Sequence, residues 1–273
     1  MLLAYCRSEA SDKQVLFDLL KGFSYQPIID LAPLLRFFTE EVPKFSRRRQ
    51  IGIMETALHK VEASRGTYEQ RYAMFEFAFM PLALSCRNSQ ERFDELFSRS
   101  MIQRFFQIFF YADEQKSTPN WKIIQNSLEH SAQVCYESFH VELIKALSII
   151  LLRVNDRERL QACLFAYNMH CRLIFIFLKE FARRAVEDSA REWACYALTL
   201  LCLKILDYAN MHRQGAQAQD GADYNNIKVL LREALESASN VLPLVLRLNH
   251  KESPHQEGLQ EKIVTNLIRF WHE

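Results

Sequence analysis

Three groups of residues have types and spacings suited to chemistry. The first is Glu137-x-x-His140, a carboxylate and an imidazole one helical turn apart, as in the helices that hold di-iron centres. That chemistry needs a second such motif on a facing helix and two further glutamates. The other match, Glu252-Ser253-Pro254-His255, lies in a polar stretch interrupted by proline, so the spacing reads as chance. The second group is Cys163, His170 and Cys171. Their spacing fits no zinc pattern, and adjacent residues on a helix diverge by about 100°. They read as buried core residues, as do Cys195 and Cys202, which share one helical face.

The third group is basic. Lys44, Arg47, Arg48 and Arg49 cluster where a helix begins. They would bind a phosphate or an acidic partner segment, or else form a solvated helix start whose cations oppose the macrodipole by a few tenths of a kcal/mol each. They are the candidate partner-binding residues. A run of rings, Phe105, Phe106, Phe109, Phe110 and Tyr111, would stack on bases or grip a partner helix. Because both faces of that helix are apolar, core packing is the favoured reading. GxSxG, P-loop, GxGxxG, HExxH, HRD and DFG motifs are absent. No catalytic, cofactor-binding or metal-binding residue is assigned, and the chain reads as a non-enzyme.

The elements that must position these residues are helices. Six glycines and seven prolines in 273 residues are too few for a sandwich or barrel, which needs turn residues every 8–12 positions or so. The net charge of +1 supplies no whole-chain field for nucleic acid or an anionic membrane. Seven cysteines, an odd number with no CxxC pair, read as reduced thiols. The opening MLLAYCRSEA does not read as a signal peptide. The longest uncharged apolar run, Trp193–Leu203, falls short of the roughly 20 residues a membrane span needs.

In order, the pattern predicts helices after Ser11 or Asp12 and after Asp30, then one from Ser46 to Val61. Thr67 with Gln70 forms a capping box for a long helix that Pro81 should kink. Ser89 caps a short helix, and Met101–Tyr111 follows. A helix from Trp121 to about Phe139 leads into three apolar patterns, Val141–Leu152, Cys163–Leu178 and Trp193–Leu206. Residues 210–226 read as a polar loop or disordered segment, and Pro243 as an interruption. The last amphipathic helix carries Ile263, Leu267, Ile268 and Trp271. The expected fold class is all-α, an α-solenoid of HEAT-like antiparallel helix pairs. Repeats would fill 1–209, and a further hairpin 227–273 would continue them.

Two stretches resemble a known family. Val42–Cys86, with its VPKFS turn and its Met80-Pro81-Leu82 helix end, is similar to a repeat junction in the HEAT solenoid of the transformation/transcription domain-associated (TRRAP) proteins. Ser138–Val154, SFHVELIKALSIILLRV, resembles a later stretch of the same solenoid. The resemblance covers less than a third of the chain. It implies a nuclear, non-catalytic scaffold of histone acetyltransferase complexes whose partners are other protein subunits and transcription activators, and that this chain is a fragment of such a protein. It implies no small-molecule substrate, no membrane and no cofactor. Rival readings are a solenoid adaptor in nuclear transport or RNA processing, with a cytoplasmic location as the alternative, and a helical ligand-binding domain or enzyme with a pocket under Phe105–Tyr111. Direct nucleic-acid binding is disfavoured by the charge balance.

Overall fold

The computed structural model describes residues 40–63, 75–110, 133–165, 172–185, 187–215, 221–246 and 258–272. The expected helices before Glu40, the Thr67 cap, Tyr111, the Trp121 start, His170, Cys171 and Glu252–His255 lie outside these residues. Among the described residues every regular element is helical, in agreement with the all-α class. The chain forms two compact units, Met1–Ile108 and Phe109–Glu273.

Unit 1 begins with a 3₁₀ turn at Val42–Lys44, where Pro43 sets the first-turn backbone and the Phe45 N–H donates to the Val42 carbonyl at 3.1 Å. Helix α1 is Arg47–Ala63. It buries Ile53, Met54, Ala57, Leu58 and Val61 on one face. Pro81 does more than kink a helix. Phe75–Phe79 forms a π-helical turn, and a separate helix, α2 (Met80–Ser85), starts with the proline in its first turn. Proline lacks an N–H and its ring collides with the carbonyl four residues back; a wider turn before it gives the ring room. Helix α3 (Gln90–Leu96) is capped as the sequence predicts: the Ser89 hydroxyl accepts from the Arg92 N–H at 3.1 Å. Ser98 does the same for α4 (Arg99–Phe109), accepting from Met101 N–H at 3.2 Å. The core is aromatic. Phe79 stacks on Phe75 and Phe105 at 5.4 and 5.6 Å and meets Phe97 edge-on at 6.0 Å.

Unit 2 contains α5 (Gln133–Arg153), α6 (Arg157–Leu164), α7 (Arg172–Arg184), α8 (Asp188–Gly215), α9 (Gly221–Leu246) and α10 (Leu259–His272). Helix α8 packs against all five others. Every residue in 194–203 is buried, so its whole circumference is covered. By length and composition α8 passes for a membrane-crossing helix, contrary to the short run read from the sequence, but 78% of that window is buried inside the unit. It is the unit's core helix.

Several boundaries differ from the sequence reading. α5 runs unbroken past Phe139, since no proline, glycine or competing cap interrupts 133–153. The pattern Cys163–Leu178 is not one helix. α6 ends at Leu164, where Phe165 leaves helical geometry (φ −131°, ψ 25°) and its ring packs on Tyr208 at 5.1 Å. In the polar segment 210–226 the described residues are helical: Asn210–Gly215 extends α8 and Gly221–Asn226 opens α9. His212 and Arg213 stand at the α8 C-terminus, where the macrodipole favours cations, and Arg213 donates to Asn210 Oδ1 at 3.2 Å. Pro243 lies inside α9, on its exposed side, and does not end it. The Cys202 thiol donates to the Ala234 carbonyl at 3.4 Å. These two residues are equally far from position 218, the geometry of an antiparallel helical hairpin. On α10, Ile263 and Leu267 face inward as expected, but Ile268 and Trp271 are exposed.

Candidate partner-binding surface

The four candidate residues meet at the start of α1, and the structure gives them different surroundings. Lys44, on the 3₁₀ turn, has a side chain 67% exposed and pairs with Glu41 at 3.4 Å. An ion pair this exposed contributes about 0–1 kcal/mol. Arg47 is exposed and its Nε donates to the Glu95 carbonyl at 3.2 Å, which ties α1 to the end of α3. Arg48 is exposed. No carboxylate lies within salt-bridge reach of Arg47 or Arg48 among the described residues. Arg49 is half-buried, its guanidinium over the Phe45 ring at 4.1 Å. The first turn of α1 carries no acidic residue. Lys44, Arg47 and Arg48 therefore form an outward basic edge, and Arg49 belongs to the packing beneath it.

The edge is held by a polar clasp that the sequence reading missed. The Gln50 side chain is buried and its amide donates to the carbonyls of Pro43, at 3.1 Å, and Phe45. Its own oxygen accepts from Arg92 Nη2 at 2.6 Å. Arg92 also donates to Pro43 O at 2.9 Å and to Ser85 Oγ at 3.1 Å. The 3₁₀ turn, α1, α2 and α3 are thus fastened to one guanidinium, whose fork suits several acceptors at once. Gln50 and Arg92 are 42 positions apart, and neither interrupts a pattern, so no local signal marks them.

The other candidates are placed as follows. Phe105, Phe106, Phe109 and Phe110 are all buried; the first two meet edge-on at 5.6 Å, and Phe110 lies 5.5 Å from Phe177. They are core groups, as the sequence favoured. His140 stands edge-on between Phe177 and Phe181, at 5.6 Å from each, and burial lowers its pKa to about 4. The Glu137 backbone lies in α5; its side chain is outside the described set. Cys163, Cys195 and Cys202 are buried, and burial pushes their thiols up, the latter two to about 12. Such thiols are poor nucleophiles and poor ligands. No three of His, Cys, Asp and Glu converge among the described residues.

The Asp156 carboxyl is held below its ordinary pKa. Burial alone would raise it, but the Arg159 N–H, donating at 2.8 Å, and the Arg159 guanidinium outweigh that effect. This is the N-cap of α6, a structural role. In comparisons with known proteins, no family model, curated protein or solved structure matches this chain.

Proposed function

We propose that this chain is a non-catalytic helical scaffold segment that works by protein–protein contact, with its basic edge at Lys44, Arg47 and Arg48 taking an acidic segment of a partner. The observation that carries this reading is the outward-facing edge itself: two guanidiniums in the first turn of α1 with no carboxylate in reach among the described residues, beside a 3₁₀ turn that Gln50 and Arg92 clasp. The α8–α9 hairpin supports construction from HEAT-like helix pairs stacked as a solenoid. The closed packing of Phe105 and Phe106 favours this reading over a ligand pocket beneath that helix. On the resemblance to the TRRAP solenoid, the whole protein is a nuclear coactivator subunit of histone acetyltransferase complexes.

Affinity purification of the tagged endogenous protein, with and without Lys44→Glu, Arg47→Glu and Arg48→Glu together, tests both levels. Acetyltransferase-complex subunits should co-purify with the native protein, and the triple variant should lose at least one partner at unchanged circular dichroism. A stable protein with no such subunits would remove the coactivator assignment. An unchanged partner set in the triple variant would remove the basic edge.

A further inference from the structure

Helices α1, α3 and α4 of unit 1 each follow a serine, and the three hydroxyls are used differently. Ser89 and Ser98 accept from the backbone N–H three residues on, at 3.1 and 3.2 Å, so their oxygens are spent in capping α3 and α4. Ser46, ahead of α1, contributes only its carbonyl, which accepts the Gln50 N–H at 3.0 Å. Among the described residues its hydroxyl makes no hydrogen bond, and the side chain is exposed. Its exposed neighbours carry one sign of charge: Lys44 before it, Arg47 and Arg48 directly after it. Lys44 is paired with Glu41, but the two arginines have no carboxylate in reach among the described residues. Phe45, which leads into Ser46, is extended (φ −66°, ψ 161°), so the approach to the hydroxyl is not wound into a helix.

We infer that Ser46 is a phosphate acceptor, modified by a serine kinase with an acidic substrate groove, and that the phosphate closes the basic edge to acidic partners. The switch rests on that edge being the partner surface; the acceptor site does not. In the transfer, Ser46 Oγ attacks the γ-phosphorus of ATP. The Oγ–P bond forms, the bond from that phosphorus to the β,γ-bridging oxygen breaks, ADP leaves, and the hydroxyl proton passes to the general base of the kinase. Recognition follows from charge, since Lys44, Arg47 and Arg48 meet carboxylates on both sides of the acceptor. A phosphoserine carries about −1.5 to −2 charges at pH 7, which matches the two uncompensated guanidiniums. Its oxygens accept from Arg47 and Arg48 in charge-assisted hydrogen bonds. They also stand where α1 begins and no acidic residue answers the macrodipole, so the fold is kept while the edge loses its charge.

The test treats the full chain with ATP and a serine kinase that prefers basic substrates, and maps the phosphate by mass spectrometry. Ser46 should be labelled about 10-fold faster than Ser89 or Ser98, and Lys44→Ala with Arg47→Ala and Arg48→Ala should slow Ser46 by about 10-fold. A fluorescent poly-glutamate peptide then reads the edge: the phosphorylated chain should bind it about 10-fold more weakly than the untreated chain. Ser46→Ala, treated in the same way, should keep its affinity. No label on Ser46, or a rate indifferent to the three cations, would overturn the acceptor site. Unchanged peptide affinity at full labelling of Ser46 would overturn the switch and leave the edge as a partner surface. An untreated chain that does not bind the peptide would remove the edge and the switch together, with the acceptor site judged by the labelling alone.

Discussion

In unit 1 the ring of Phe79 touches three other phenylalanines, whereas in unit 2 the middle of α8 offers Ala194, Ala197, Leu198, Leu201 and Cys202 to its surroundings. The two cores solve different problems. Unit 1 has short helices, with α2 and α3 spanning 6 and 7 residues, which are too brief to be stable by themselves. Large rings reach across several of them at once, and a guanidinium clasp ties the turns between them. Unit 2 has a 28-residue helix to build on. The fully buried middle of α8, alanines and leucines among it, is covered by the other helices of the unit, and polar side chains pair at its rim. Aromatic rings dominate the first core, and the covered middle of one long helix the second.

The sharpest way to break this contrast is Phe79→Ala. It should destabilise unit 1 by about 3–5 kcal/mol. Hydrogen exchange would show the loss in α1 to α4, with α5 to α10 as the internal control. An equal loss of protection in both units would mean that the two cores are not separately packed. In unit 2, acid should find His140. Its pKa in the folded chain is about 4 against an ordinary 6.5, so the unfolded chain takes the proton first as pH falls. Its contribution is complete above about pH 6.5 and is lost at about 1.4 kcal/mol per pH unit down to about 4, roughly 3 kcal/mol in all. Urea titrations at several pH values should show that slope for the native chain and a flattened one for His140→Leu. The smallest effect concerns Ser237, whose buried hydroxyl finds no hydrogen-bond partner among the described residues. Ser237→Ala should raise the urea midpoint, by about 1 kcal/mol or less in stability, because it removes an uncompensated polar atom from the α9 seat. A lowered midpoint would place an unseen partner on that hydroxyl and bring a polar element into the unit 2 core.

Much of the fold was legible because it is written in local patterns. Ser89 announces α3, the apolar recurrence through Val61 announces α1, and the shortage of glycine and proline points to the all-α class. Boundaries went wrong where a long-range contact outweighed the local text. Phe165 ends α6 to reach Tyr208, and Asn210–Gly215 stays helical although no apolar stripe marks it. The basic edge was legible as a charge cluster, but its division was not. Arg49 turns in to Phe45 while Arg47 and Arg48 stay outside, and only the position of the Phe45 ring decides that.

The sequence by itself determined the all-α class, the burial of the phenylalanine run and of the described thiols, and the location of the cationic start of α1. These follow from periodicity and side-chain type, which act within a turn or two of the chain. Tertiary structure alone decided which polar groups pair: Gln50 with Arg92, and Glu192, Thr199 and Asp207 with a helix more than 60 residues away. A hydrogen bond needs donor and acceptor within about 3 Å. Nothing in the chemistry of a glutamine or an arginine says which distant acceptor will be that close, so those choices exist only once the helices have packed.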